Sequence, residues 1–115
     1  MESILTSVKK MLGISEEYEH FDPEIIMHIN SVLMVLTQIG IGPPEGFSIE
    51  DETSSWTDFV SDTTKLEAIK TYVYLRVRLI FDSSSLTGPV IESINRTINE
   101  LEWRLNIIAE SIQSE

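Results

Sequence analysis

The seventeen residues at positions 65–81, KLEAIKTYVYLRVRLIF, contain no glycine, no proline and no turn signal. Their apolar residues fit two different periods. From Val73 to Phe81 every second residue is apolar, which is typical of a strand. A second apolar set recurs every three or four positions, as in a helix: Leu66, Ile69, Val73, Val77 and Ile80. The period that prevails decides whether the chain contains a sheet.

The helical period is favoured for three reasons. A strand of this length would far exceed the usual five or six residues. No second run of comparable quality is present to pair with it, and KLEAIK consists of strong helix formers. We therefore predict a helix over residues 63–81. Its polar stripe is narrow, comprising Glu67, Lys70, Tyr74 and Arg78, so the helix is expected to be surrounded on most sides by its own chain or by a neighbouring subunit.

Two helices are predicted before this one. Apolar periodicity indicates a helix over about residues 3–12, ended by Gly13. A second helix is expected over 23–39, with Asp22 as its N-cap, Pro23 in the first helical position and Gly40 at its end. Both carry an apolar stripe that predicts burial on one side.

The rest of the chain alternates loops and helices. Residues 40–55, GIGPPEGFSIEDETSS, predict a long acidic loop, and a loop of this length is often functional or mobile. Ser55 is expected to cap a short helical turn over about 56–60. The last helix is predicted over 89–109, with a frayed polar tail at 110–115. The sequence thus predicts an all-α fold, a single domain over 1–115 built as a small bundle of four to five helices.

The seam of the last helix is regular. Its apolar residues repeat at alternating intervals of three and four: Ile91, Ile94, Ile98, Leu101, Leu105 and Ile108. Trp103 points away from this seam, and Ile107 and Arg96 lie on the same side, so this face is either a subunit interface or covered by another segment. Arg76, on the apolar side of the 63–81 helix, needs water or an acidic partner, for which Glu100 and Glu102 are the candidates.

Composition limits the classes of function. With 115 residues and 42% hydrophobic residues, the chain suits one globular domain. It has no cysteine, which excludes disulfides and thiolate chemistry. No apolar run reaches the roughly 18 residues of a membrane span, and the N-terminal lysines follow the apolar residues rather than preceding them, so we expect no membrane segment, no secretory signal and synthesis in the cytoplasm.

The charge is strongly negative and uneven. The formal net charge is −11, and nearly all of it falls before residue 63. Such a chain repels nucleic acid over most of its surface, whereas DNA-binding proteins cluster Lys and Arg. The acidity therefore suits a protein that lies near DNA without holding it, or it simply maintains solubility.

No catalytic or metal-binding arrangement is evident. His20 and His28 are eight residues apart, which does not supply the converging ligands that zinc requires. The serines lie where caps and turns require them, and no phosphate-binding glycine loop is present. The sequence predicts no enzyme, no cofactor and no metal.

The order of segments resembles one protein family. In sequence order the chain has VKKMLGI, an acidic spacer, DPEIIMHINSVL, an Ile-Gly loop, WTDF, YVYLRVRLIFD and ELEWRL. These residues, from 4 to about 108, are similar to the small head–tail connector proteins of tailed bacteriophages, the DNA-packaging adaptor family of phages and prophages. The most specific parts are Tyr72–Asp82 and Glu100–Leu105. The serines at 83–85 depart from the family, in which proline tends to follow the Phe-Asp pair.

The resemblance implies a four- or five-helix fold and a ring, commonly of about twelve subunits, that docks under the portal protein in the virion neck. The ring would form in the host cytoplasm, extend the DNA channel without binding DNA specifically and present a surface to the next neck protein. The C-terminal segment, here 106–115, would contact the portal. No catalysis or cofactor is implied.

Two hypotheses remain open at this point: a connector subunit, or an acidic helical regulator or DNA mimic that binds a basic partner. For the first, we predict a subunit interface at Tyr74, Arg78, Arg96, Trp103 and Ile107. Glu50, Asp51 and Glu52 are predicted to face the channel, or to lie between neighbours and become ordered on assembly.

Overall fold

The computed structural model describes residues 2–61, 65–81 and 86–113, with side chains up to Ala109. Its α-helices are α1 (Ile4–Met11), α2 (Asp22–Ile39), α3 (Trp56–Phe59), α4 (Leu66–Phe81) and α5 (Gly88–Gln113). These residues form no strand, and a single antiparallel bridge joins Ser3 to Ser55. The predicted all-α fold is confirmed. The expected helix start at 63–64 and the serines at 83–85 lie outside the described residues.

The stretch with two competing periods is helix α4. Its buried residues follow the helical spacing: Leu66, Ile69, Tyr72, Val73 and Val77. α4 packs against both α2 and α5 and also contacts α1. The helical period prevails because it presents apolar side chains to several neighbouring helices at once, as predicted for a helix surrounded on most sides.

Helix α2 begins one residue earlier than expected. Phe21 occupies the N-cap position without a side-chain hydrogen bond, and Asp22 is the first helical residue. The prediction that Asp22 caps the helix was wrong, because its Oδ1 lies 2.8 Å from the buried Nζ of Lys9. A buried ammonium needs an opposite charge more than a helix end needs a cap. Gly40 ends α2 as predicted, with a left-handed φ of 109°.

The long loop is fixed to the subunit in its middle. Ile41 and Ile49 are buried in the core. The amide of Asn30 clamps Ile49, since its Nδ2 donates to the carbonyl oxygen at 3.0 Å and its Oδ1 accepts from the backbone N–H at 2.8 Å. At Gly42 (φ +85°) a Cβ atom would lie 2.4 Å from the Phe59 ring, so only glycine fits there. Ile41 and Ile49 thus belong to the core of the single subunit, and ordering on assembly stays a prediction for Glu50, Asp51 and Glu52.

The far end of the loop is fixed to the start of α1. Ile4 N–H donates to the carbonyl of Ser54 at 3.0 Å, and the indole Nε1 of Trp56 donates to Ser7 Oγ at 2.8 Å. Trp56 and Phe59 are buried, and the backbone N–H of Ser55 donates to Asp58 at 2.9 Å in a capping box. The predicted cap at Ser55 is confirmed, and the buried Trp56 and Phe59 anchor this end of the loop.

Helix α5 is longer than expected. It starts at Gly88 and continues to Gln113, through most of the tail that was expected to fray, while residues 114 and 115 lie outside the described part. The continuation is possible because no glycine or proline follows Ala109. Ile94, Ile98, Leu105 and Ala109 are buried along the side of α5 that faces the bundle.

Candidate subunit interface

The outer face of α5 carries the most exposed large apolar side chain described in the structure. Trp103 is 66% exposed and Ile107 is 46% exposed. With 3.6 residues per turn, these two and Arg96 fall within about 40° of one another, directly opposite the buried Ile98 and Leu105. No described segment of the subunit covers this face. Among the described residues Trp103 is therefore uncovered, and its role in a subunit interface stays a prediction.

A partly buried polar network sets the rotation of α5 about its axis. Glu102 Oε1 accepts from Tyr72 Oη and from Arg76 Nη1, each at 2.8 Å, and so joins α5 to α4. The prediction that Arg76 finds Glu100 or Glu102 is confirmed for Glu102. Because Glu102 is held against α4, the next residue, Trp103, must point about 100° further around the helix, away from the core.

The same network changes the acidity of Tyr72. The phenol is fully buried, and this burial, together with its hydrogen bond to Glu102, raises the pKa of Tyr72 to about 12. The Arg76 guanidinium also lies 5.6 Å from the centre of the Tyr72 ring. The sequence analysis missed Tyr72 as a partner of Glu102, although the hydroxyl of a buried tyrosine usually finds a hydrogen-bond partner.

Arg96 lacks a partner within the subunit. Carboxylates within salt-bridge distance are described for four other cations: Lys9, Lys70, Arg76 and Arg104. Arg96 is exposed and makes no hydrogen bond or ion pair within the described part of the chain. The outer face of α5 thus combines a tryptophan and an arginine, two residue types that are enriched at interface centres, with an aliphatic side chain.

The other two predicted interface residues lie elsewhere. Tyr74 and Arg78 are half-buried on α4, where Arg78 Nη1 donates to Tyr74 Oη at 3.2 Å. No described contact joins this pair to Trp103. The structure therefore groups Arg96, Trp103 and Ile107 on one face and leaves Tyr74 and Arg78 as a separate pair.

The acidic residues of the loop are exposed. Glu50, Asp51 and Glu52 form a turn in which the side chain and backbone N–H of Thr53 hydrogen-bond to Asp51 and lower the pKa of its carboxyl group. Glu52 also lines a cleft of about 280 Å³ with acids that follow α1, namely Glu16, Glu17 and Glu19. Two acidic segments that are distant in sequence therefore meet at one edge of the molecule.

Comparison with known proteins identifies the family. A family sequence model described as phage connector protein matches residues 4–111, nearly the whole chain. The chain belongs to the phage connector protein family. The resemblance found from the residues is confirmed. No curated protein and no solved structure was found to match this connector.

Membership in this family gives the chain a phage connector role. The family is a structural one, whose place is the neck of the virion. The exposed face of α5 and the acidic edge are therefore surfaces of a protein that joins other phage proteins. None of the helices in the described part of the connector is long and apolar enough to cross a membrane.

The sequence analysis missed the structural role of one buried lysine, Lys9. Lys9 was interpreted as a cation near the end of α1, yet it is only 2% exposed. Its Nζ donates to the carbonyl oxygens of Glu16 at 3.0 Å and Tyr18 at 2.8 Å and lies 2.8 Å from Asp22 Oδ1. Lys9 therefore holds the α1–α2 connection. The available signal was its position four residues after Leu5, on the apolar face of α1.

The histidines of the connector do not form a metal centre with other side chains in the described regions. His28 Nε2 lies 3.7 Å from Glu24, and His20 contacts the rings of Tyr18 and Phe21. Among residues 2–61, 65–81 and 86–109, no group of three His, Cys, Asp or Glu side chains is placed to hold a metal ion.

Proposed function

We propose that this connector is a head-completion subunit that assembles as a ring under the phage portal, extends the DNA channel and joins head to tail. The observation that carries the proposal is the exposed Arg96–Trp103–Ile107 face in a chain of this family. In an isolated subunit, a tryptophan that is two-thirds exposed leaves most of its apolar surface in water. An assembly that buries this surface gains free energy.

A ring of identical subunits needs a head-to-tail contact, in which two different surfaces of each copy meet. The Arg96–Trp103–Ile107 face supplies one of them. The negative net charge of the chain also suits a ring, because about twelve copies would surround the channel with negative charge. A DNA duplex would then pass through the channel without being bound.

The C-terminal end of α5 is proposed to contact the portal, as the resemblance implies for residues 106–115. A chain ending at Ala109 keeps the last buried residue described in α5. We expect this truncated chain to fold and to form the ring but to lose binding to the portal in a pull-down. Unchanged portal binding would assign that contact to another surface.

The assembly state is the direct test. Native mass spectrometry and negative-stain microscopy, on the free chain up to about 1 mM and on the chain mixed with its portal, should show closed rings in at least one condition. A chain that stays monomeric in both would contradict the ring. A monomer that instead captures a basic DNA-binding protein, and is displaced from it by duplex DNA, would support the DNA-mimic alternative.

Trp103→Ala tests the interface directly. We expect assembly to weaken at least tenfold while the monomer melts at an almost unchanged temperature, because an exposed side chain contributes little to the fold. Leu105→Ala, two residues away on the buried side, is the matched control and should cost the monomer about 2–5 kcal/mol. A large loss of monomer stability in Trp103→Ala would place the indole in the core and contradict the proposal.

A further inference from the structure

The connector has a groove between α2 and the long loop, with a volume of about 530 Å³. Met34, Pro44 and Phe47 form its apolar wall, and Met34 is 58% exposed. The groove is wide and open to solvent, so one large aromatic side chain can lie in it. Methionine suits such a wall because its thioether adapts its shape and makes favourable contacts with aromatic rings.

The groove is preformed. Phe47 packs against Phe59 with ring centroids 5.3 Å apart, and Phe59 is buried in the core. The opposite side is fixed by the Asn30 clamp on Ile49, two residues beyond Phe47. A preformed apolar groove needs little reordering before it binds a side chain, which lowers the entropic cost of binding.

The charges at the groove complement those at Trp103. Glu45 lines the groove, is exposed and makes no ion pair or hydrogen bond among the described side chains. Arg96 is the unpaired cation on the outer face of α5, seven residues and about 10 Å from Trp103. Extended Arg and Glu side chains can span that separation, so a copy with Trp103 in the groove brings the two unpaired charges together.

We infer that Trp103 of one connector copy inserts into the α2–loop groove of the next copy, where Arg96 of the first pairs with Glu45 of the second. The inference rests on the proposed function and supplies the second surface that a head-to-tail ring requires. The groove and Trp103 lie on different elements of the chain, so each copy uses one surface toward each neighbour.

Cysteine cross-linking tests the inference on the assembled protein, free or on the portal. The chain contains no cysteine, so single cysteines can be introduced cleanly at Arg104, beside Trp103, and at Ser48, in the groove. A short bismaleimide should cross-link a mixture of Arg104→Cys and Ser48→Cys chains into dimers, but neither chain alone. A mixture of Lys10→Cys and Ser48→Cys, with the first cysteine at another exposed position, is the control and should stay uncross-linked.

Charge reversal provides the second test. Arg96→Glu and Glu45→Arg should each weaken assembly about fivefold or more, and the double variant should recover most of the loss, because each interface regains one opposite pair. Rings that form without the Arg104–Ser48 cross-link, or a double variant no better than the single ones, would overturn this inference and leave the proposed function intact. Absence of rings would overturn both.

Discussion

Adjacent lysines in α1 have opposite surroundings. Lys9 is buried against two carbonyl oxygens and a carboxylate, whereas Lys10 is exposed. In Lys9→Ala, the two carbonyl oxygens would lose their donor and the Asp22 carboxylate would lose its ion-pair partner. Asp22 retains some contact with water, with a side chain 20% exposed, which moderates the cost.

We expect Lys9→Ala to lower the free energy of unfolding by about 3 kcal/mol, measured by urea denaturation. Lys10→Ala removes the same charge one position later and should change stability by less than about 0.5 kcal/mol. Equal effects of the two substitutions would mean that the hydrogen bonds of Lys9 contribute nothing beyond its charge.

Tyr72 makes the folding stability of the connector depend on pH at high pH. Its pKa rises from 10.0 to about 12 on folding, so the unfolded chain releases the phenol proton at a lower pH than the folded chain. The contribution of this raised pKa to the free energy of unfolding is therefore fully present below about pH 10. It is lost as the pH rises toward 12, by no more than about 1.4 kcal/mol per pH unit.

Urea unfolding of the wild type and of Tyr72→Phe, between about pH 9 and pH 11.5, measures this contribution. Phenylalanine keeps the ring and removes the ionisable hydroxyl, so other tyrosines and lysines cancel in the comparison. The difference in the free energy of unfolding between the wild type and Tyr72→Phe should shrink as the pH rises. Parallel pH profiles would show that Tyr72 ionises alike in both states.

At the scale of elements, one side chain of α2, that of Asn30, clamps the long loop at Ile49. Asn30→Ala should lower the free energy of unfolding by about 2 kcal/mol, because it leaves the N–H and C=O of Ile49 without partners. Hydrogen exchange should accelerate in residues 41–49 and stay unchanged in α4. Ser31→Ala, at an exposed neighbouring position, is the control.

The elements were largely predictable from local patterns, whereas the contacts that hold the loops were not. The helical spacing in α4 and the regular seam of α5 are properties of the sequence itself, and both recur as buried faces. Asn30 and Ile49 are nineteen residues apart and meet through backbone atoms of Ile49, which leave no trace in residue type. The exposure of Trp103 was undecided for the same reason, since only the folded chain shows whether a distant segment covers it.

At the scale of the whole molecule, acidity opposes assembly. Copies that each carry −11 repel one another, and the few exposed cations, Arg96 among them, offset little of this. The proposed ring must therefore gain its free energy mainly from apolar contact at Trp103 and its surroundings, with charge pairing setting the register.

Salt should consequently favour the assembled state. Raising NaCl from about 20 mM to about 500 mM shortens the range of repulsion severalfold, so light scattering should show a shift from monomer toward ring, the opposite of the salt response of a nucleic-acid-binding protein. If the loop acids face the channel or a neighbour, the combined variant E50Q, D51N and E52Q should assemble at lower salt than the wild type.

A variant with the same change in net charge separates local repulsion from total charge. Glu24, Glu67 and Glu92 are exposed on three different helices, and their combined replacement by Gln serves this purpose. If assembly improves more in the loop variant than in this control, Glu50, Asp51 and Glu52 lie where neighbouring copies or channel walls approach one another. Equal gains would show that only total charge matters, and assembly that weakens with salt would mean that attraction between opposite charges, rather than apolar contact, holds the ring.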